Sequence, residues 1–484
     1  MRLMKKALYY LSASVLLLIG SISAYAQQNN LRTAYFLDGY TYRYKLNPAL
    51  APERGFFAFP ALGNLGIGAE SNLALSTFLY PTTDGKMATF LDDRVSAEEF
   101  DKKIRKRNNL NVNTNLSILS FGFRTGEAFH TVDLSVKANV GANIPGELFS
   151  FAKTGTENGA TSWDISDLGM RGDAYAELAY GFSRSIGESI RVGGRLKLLM
   201  GYASADVALD RLSLTVSEEQ WAVKSHGDAM ISGPFTIGTE SGSNKIDFSR
   251  IETPEDMEGF LSPLTTHKSM GAALDLGFSY DFLDYFTVSA SILDLGYIKW
   301  NNVTEASTPE GSWSFDGLGE IDINEDNTLG DQFGQMGEEL MGMVELYKTS
   351  DGGKKSKGLG ATFHAGIEAR MPFYERLTFG LLASHRFRGA YSWTEGRLSM
   401  NLAPLKFFSV AASCAYSNYG GSLGGVVNIH LPGFNLYAGV DSFSPLLDMT
   451  PQYVPVGHIN TNLVFGLNFS FGKPAGRYHD VSVE

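Results

Sequence analysis

The residues of this chain that are equipped for chemistry do not converge on a reaction. Its eight histidines run from His130 to His479, and no two stand four apart with a glutamate between them, the spacing that puts two imidazoles on one helical face for zinc. His364 falls on the polar side of an alternating run, where a hydrogen-bonded structural imidazole is the plain reading. Asp322-Ile323-Asn324-Glu325-Asp326 opens like a calcium loop. Its sixth position, however, is Asn327 where glycine makes the sharp turn, and its twelfth is Phe333 where a bidentate glutamate closes the shell. A solvated acidic loop is the expectation there, with a calcium contact of another type as the alternative. Gly353-Lys354-Lys355-Ser356 lacks the spacing of a phosphate-binding loop, and no G-x-S-x-G elbow occurs. Cys414 is the single cysteine, which excludes a disulfide framework or a thiolate metal site. The reading is of a protein that is not an enzyme and has no metal or other cofactor.

What the chain does offer is charge in a regular place. Asp133, Lys137, Asp173, Glu177, Arg191, Arg195, Lys197, Glu368 and Arg370 all fall on the polar side of alternating segments. Two uses fit such a ladder: a polar conduit with anchoring points for a plug, or pairing that compensates charge buried in a lumen. A second candidate is apolar. Met336, Leu340, Met343 and Tyr347 share one face of a helix expected over 333–348, although Gly334, Gly337 and Gly342 weaken it. Flexible methionines in a long external loop suit a greasy mouth site, or simply packing on a rim.

The elements that must position these residues are long alternating strands. In His458–Phe471 the odd positions are Ile459, Thr461, Leu463, Phe465, Leu467, Phe469 and Phe471, and the even ones are small or polar. The same period recurs in 65–75, 132–140, 174–183, 195–202 and 359–370. Runs of about ten residues are longer than most soluble strands and suit tilted membrane strands. Connections alternate short (186–189, 281–285, 371–375, 403–406, 432–433) and long (81–110, 143–171, 233–268, 301–357), as in outer-membrane barrels. Phe282, Tyr285, Phe373, Tyr374, Phe407, Phe408 and Phe434 flank the short turns as a periplasmic girdle, with Trp300 and Tyr80 expected at the outer one. The expected fold is an all-β transmembrane antiparallel barrel. The count is 14 or 16 strands, depending on whether 205–232 is two spans or an external hairpin, and 14 is favoured because Ser217-Glu218-Glu219-Gln220 and Lys224 are poor lipid-spanning material. Loop helices are expected after Ser96-Ala97-Glu98-Glu99, a capping box, after Thr253-Pro254-Glu255-Asp256, and over 145–153.

The N-terminus sets the expected compartment. Arg2, Lys5 and Lys6, the apolar run 7–19 and Ala24-Tyr25-Ala26 read as a signal peptide over 1–26. Its removal makes a chain of formal charge −12 more acidic still, which disfavours nucleic acid as a partner. Beyond it no apolar run reaches the roughly 18 residues of a membrane helix. The chain nevertheless holds 22 Tyr, 32 Phe and 53 Gly, the profile of half-apolar strands.

Tyr44-Lys45-Leu46-Asn47-Pro48-Ala49-Leu50, just before the first long strand, carries an Asn-Pro-Ala motif. Further echoes are Gly194-Arg195-Leu196-Lys197-Leu198-Leu199-Met200-Gly201 and Ile292-Leu293-Asp294-Leu295-Gly296-Tyr297-Ile298-Lys299-Trp300. Together these resemble the long-chain fatty acid transporter (FadL) superfamily, in particular FadL-like outer-membrane proteins of the Bacteroidota. The PorV-type secretion accessory barrels are more distant relatives. The resemblance implies a plug, or hatch, over 27–63 containing Asn47, Pro48 and Ala49, a barrel over 64–471 and a periplasmic tail over 472–484. It also implies the outer membrane of a Gram-negative bacterium, with outer-membrane lipid around the barrel and passive transport of a hydrophobic, fatty-acid-like molecule. No ligand-contacting residue of the family maps onto this chain. The alternative function is a non-transporting accessory barrel that serves a secretion or surface-protein partner; a surface adhesin is a third.

Overall fold

The computed structural model describes residues 30–58, 63–82, 87–154, 162–216, 221–234, 236–252, 268–283, 285–309, 311–315, 345–444 and 457–472. The segment 1–26 and all but Gly472 of the tail lie outside them. Fourteen antiparallel strands close a transmembrane barrel. Strand β1 is in two pieces, Gly55–Ala58 and Leu65–Ala74. It is followed by β2 (Arg107–Thr125), β3 (Ala128–Pro145), β4 (Leu168–Ile186), β5 (Ile190–Val216), β6 (Ser269–Phe282) and β7 (Phe286–Ser307). Strand β8 is again in two pieces, Tyr347–Gly358 and Thr362–Met371. The circuit ends with β9 (Tyr374–Arg386), β10 (Trp393–Leu405), β11 (Phe408–Ser417), β12 (Gly420–Leu431), β13 (Phe434–Phe443) and β14 (His458–Phe471). Closure comes from β14 pairing with β13 on one side and β1 on the other, with Leu65 opposite Phe465 and Ile67 opposite Leu463.

The wall starts earlier than residue 64. Gly55 already faces Phe471, and Phe56 faces Gly122, because both pieces of β1 lie between the same two neighbours. Along the wall the alternation is inside out. Leu196, Leu198, Leu295, Tyr297, Leu381, Leu398 and Phe465 are 43–65 % exposed and form a lipid-facing belt, while Asn460, Asn462 and Asn468 of β14 are buried toward the lumen. Tyr285, Phe373, Tyr374 and Phe407 crowd the end with the tight turns and are exposed there, the place of an interfacial girdle.

Trp300 and Tyr80 do not join an outer girdle. Both are buried, and the ammonium of Lys103 sits 3.8 Å over the Tyr80 ring. The reason for Trp300 is a bulge. The β6–β7 register shifts between Leu274 and Leu276, and Asp294 has a positive φ. Inward positions are therefore odd before the bulge (Thr287, Ser289, Ser291) and even after it (Asp294, Ile298, Trp300). Tyr297, Phe387 and Tyr416 are the exposed aromatics toward that end.

Residues 205–216 and 221–232 pair antiparallel as an extension outside the spanning wall, not as two further spans. Strand β5 has 27 residues, about 90 Å at the usual rise, far more than a bilayer needs. Its outer half, Ser204–Val216, pairs with the strand Trp221–Ser232, which then pairs with Val303–Ser307 of β7. That strand stands above β6, which joins the inner halves of the same two neighbours, so it adds length to the wall without adding a span. Ser96 caps the helix Ala97–Asp101 by accepting from the Glu99 amide at 3.2 Å, and a second helix covers Gly146–Thr154. The Thr253 helix lies outside the described residues.

Candidate functional site

The lumen is occupied by residues 30–54 of the chain itself. This plug has two short 3₁₀ turns, Arg32–Ala34 and Thr41–Lys45, and nearly every residue from Asn30 to Leu50 is buried. Three groups of contacts hold it.

The first is ionic, on the side of β3 to β7. Arg195 lies 3.0 Å from Asp133 and 3.1 Å from Asp275, and Lys197 lies 2.6 Å from both Asp275 and Asp294. Lys137 pairs with Glu177 at 2.6 Å. The plug enters this ladder through Lys45, 3.3 Å from Asp133, and through the Tyr44 hydroxyl, which donates to Asp133 at 2.7 Å. Lys45, Lys137, Arg195 and Lys197 thus balance Asp133, Glu177, Asp275 and Asp294, the condition for keeping so much charge out of water.

A second ionic latch faces β10 and β13. Arg32 Nε donates to Asp441 at 2.6 Å and lies 3.5 Å from Glu395, with Glu70 at 3.6 Å. The Thr33 amide donates to the other Asp441 oxygen at 2.6 Å, and Arg397 donates to the Thr33 hydroxyl at 2.9 Å and the Asp441 carbonyl at 2.6 Å.

The third group seats Asn47-Pro48-Ala49. Asn47 Nδ2 reaches the Tyr35 hydroxyl at 2.9 Å and the carbonyls of Phe278 and Ala290 at 3.2 and 3.3 Å, while its Oδ1 accepts from the Ala49 amide at 3.0 Å. The tripeptide lies against Gly193 of β5 and Gly277 of β6, which are cross-strand partners. A Cβ on either would come within 2.7 Å of the Ala49 amide nitrogen. The missing side chains form the recess into which the tripeptide fits.

Between these anchors the plug meets the wall through rings. Tyr40, Tyr42, Tyr44, Phe56 and Tyr437 pack with centroid separations of 4.9 to 6.0 Å, joined by Leu31, Leu37, Val426 and Val464. The lumen is therefore ionic toward β3–β7, while toward β12–β14 a ring cluster lies beside the Arg32–Asp441 latch. Beside the plug, a space lined by Tyr44, Pro48, Phe129 and Arg195 and another lined by Asn30, Lys45, Lys137 and Glu177 each measure about 10 Å³, room for about one water. Where the plug rejoins the wall, burial and the charge of Asp38 push the Glu53 carboxyl up to about 6, against Arg43 and Arg54.

Of the charges read from the sequence, Glu177, Arg195 and Lys197 meet in the ladder. Arg191 pairs with Asp281 near the tight turns, and Glu368 is buried on β8 with Arg370 partly buried beside it. His364 is buried and bonds the Ser384 hydroxyl at 2.7 Å. Met336, Leu340 and Met343 lie outside the described residues. Tyr347 does not end a helix: it begins the outer piece of β8, between Ser307 and Lys245, because cross-strand pairing supplies its backbone partners. Sequence reasoning missed Arg32, Glu395, Arg397 and Asp441. For Glu395, Arg397 and Asp441 the signal was charge at lumen parity in β10 and β13, as in β5.

A family model described as "Family of unknown function (DUF5723)" matches residues 48–441. No curated protein sequence matches the chain. Among solved structures the chain is similar to the P. putida toluene transporter TodX, at 9 % identity and TM-score 0.39, covering 88 % of this chain and 93 % of that one. A Pseudomonas aeruginosa FadL homologue gives 9 %, TM-score 0.37, 93 % and 99 %. The translocator domain of autotransporter NalP from Neisseria meningitidis gives 8 %, TM-score 0.32, 87 % and 90 %. Likeness at this level bears no weight on function, and the barrel stands on the chain's own strand pairing.

Proposed function

We propose that the chain, which belongs to the family of unknown function DUF5723, lies in the outer membrane of a Gram-negative cell and passes a small hydrophobic molecule, with its plug as the gate. The observation that carries this reading is the two-sided lumen. A uniformly polar lumen offers an apolar molecule nothing. Here the boundary between the plug and β12–β14 carries Tyr40, Tyr42, Tyr437, Val426 and Val464, an apolar strip beside the Arg32–Asp441 pair and the Asn435–Thr41 hydrogen bond. Along that strip an apolar molecule meets less polar surface to desolvate than along the β3–β7 ladder. Movement of the plug away from Tyr437 opens an apolar path along the wall. The lipid-facing belt and the girdle at the tight turns support the membrane placement.

A second reading, an accessory barrel for a secretion or surface-protein partner, is favoured by the spaces of about 10 Å³ beside the plug and by the extension of β5 beyond the bilayer. One experiment separates the two. Thr33 and Ser413 hydroxyls are 2.9 Å apart across the plug–wall boundary, so Thr33→Cys with Ser413→Cys, in a Cys414→Ser background, locks the plug by a disulfide. In proteoliposomes the reduced protein is expected to speed entry of a fluorescent hydrophobic probe and the oxidised protein to stop it. Equal entry in both states refutes the gate. Entry no faster than in empty vesicles, with a protein partner retained in native mass spectrometry, establishes the accessory role.

A further inference from the structure

The β3–β7 ladder balances four cations against four carboxylates, but a cluster at the outer end of the lumen, away from the tight turns, has cations in excess. Arg171 and Asp173 open β4, Asp206 lies on β5, Lys357 ends the outer piece of β8, and Arg388 follows β9. Arg171 Nε is 3.6 Å from Asp206 Oδ2, its direct cross-strand partner, and Lys357 Nζ is 3.2 Å from the same oxygen. Arg388 pairs with Asp173, whose other oxygen accepts from Asn139 at 2.7 Å. Lys357 also donates to the Ser204 hydroxyl at 3.1 Å and the Ala205 carbonyl at 3.3 Å, and Arg171 donates to the Gly358 carbonyl at 3.0 Å. Arg386 lies nearby but is shared with Asp294 and Glu70 deeper in the lumen. Even without it, Arg171, Lys357 and Arg388 face only Asp173 and Asp206.

The surplus is not left to bulk water. The side chains of Lys357 and Arg388 are 9 and 10 % exposed, and that of Arg171 is 17 % exposed. Moreover, the Nε–H of Arg388 is buried with no hydrogen-bond acceptor among the described residues, and that of Arg171, also buried, has only the Asp206 oxygen at 3.6 Å, beyond hydrogen-bond distance. A buried, unpartnered guanidinium N–H is costly, more so beside like charge. An acceptor that brings negative charge removes both costs together.

We propose that this cluster is a binding site for a phosphate-type oxyanion at the outer mouth of the lumen. The cations come from three separate elements (β4, β8 and the end of β9). A flat carboxylate is matched by the fork of one guanidinium, whereas a tetrahedral oxyanion presents acceptors in several directions at once. The source is either the free ion or the phosphorylated head of an amphiphile.

The test is calorimetric titration of the full-length protein in zwitterionic nanodiscs at pH 7, with inorganic phosphate in one arm and hexyl phosphate in the other, at constant ionic strength. Saturable binding is expected. Arg171→Gln and Arg388→Gln each weaken it about tenfold or more, the scale of one charge-assisted hydrogen bond. Asp206→Asn removes a competing carboxylate and tightens it, an increase that a merely structural role does not produce. Comparable affinity in both arms identifies the free ion, and a clear preference for the ester identifies a headgroup. No saturable binding in either arm, undiminished binding in both arginine variants, or weaker binding in Asp206→Asn overturns the proposal. Folding of each variant is checked by heat-modifiable migration, and Asp206→Asn decides alone if an arginine variant fails to fold.

Discussion

Arg32→Ala is the sharpest perturbation of the plug. Arg32 touches three carboxylates, Asp441 at 2.6 Å, Glu395 at 3.5 Å and Glu70 at 3.6 Å, and its guanidinium lies 4.7 Å over the Trp393 ring. With Arg32 gone, Arg397 inherits Asp441 and Glu395 at 3.5 and 3.0 Å, leaving buried negative charge in excess. Removing one partner of a buried pair costs about 3–5 kcal/mol. That cost falls on the docked plug and not on the wall, because Arg32 is the member of the network that the plug supplies. The undocked population then rises roughly a hundred- to a few-thousand-fold, at about 1.4 kcal/mol per decade. The amide to watch is Thr33, which donates to Asp441 at 2.6 Å. Its hydrogen exchange reports local opening, so its protection should fall by the same factor while amides of the β4–β5 wall keep theirs. Arg32→Lys retains the charge without the planar fork and should lie between. Unchanged Thr33 protection in Arg32→Ala, in a barrel that remains folded, refutes the latch.

Gly193→Val and Gly277→Val should each displace Asn47-Pro48-Ala49 and expose the plug to limited proteolysis, whereas Gly396→Ala, with open space where its Cβ would go, should be silent; equal proteolysis in all three counts against the recess. Phe465→Arg, on the lipid side half-way along β14, should destabilise the barrel by about 2–4 kcal/mol in urea-driven unfolding from vesicles, and a wild-type curve places that face elsewhere. Glu53 has a carboxyl held up at about 6 by burial and Asp38, so the folded state holds its proton more tightly than the unfolded chain does. Stability from this group is full below about pH 4.5 and is lost as pH rises through about 6; Glu53→Gln should flatten that decline in thermal unfolding, and an unaltered pH profile refutes the assignment.

The wall was readable from the sequence because a strand side chain's direction depends only on parity and on a bilayer outside. Leu463 and Asn462 are assigned from neighbours a few residues away. Where parity breaks, local reading breaks with it: the bulge at Asp294 turned Trp300 inward. Outside the bilayer no apolar face is required, so Tyr347–Gly358, rich in lysine and glycine, shows no strand pattern and is nevertheless a strand. The plug was the least legible part. Its Arg32 meets Asp441 across 409 positions of chain, and nothing in 30–50 marks which wall residue answers which plug residue. The seat of Asn47 depends on two glycines that become neighbours only when β5 and β6 pair.

The two faces of the lumen also have different mechanical consequences. Ion pairs are short-ranged in geometry and expensive to break one at a time, so the contacts of Lys45 and Tyr44 with Asp133, itself held by Arg195, fix the plug's register against β3–β7. Ring contacts are less directional, and Tyr40 or Tyr42 can slide past Tyr437 or Phe56 while remaining in contact with another aromatic surface. A plug held this way has a preferred hinge side and a preferred opening side, set by which wall strands carry charge and which carry rings. Arg32 is the exception, an ionic contact on the β10–β13 side. Opening along Tyr437 therefore requires that this latch be released first, while Lys45 and Asn47 keep the plug attached to the wall it does not leave.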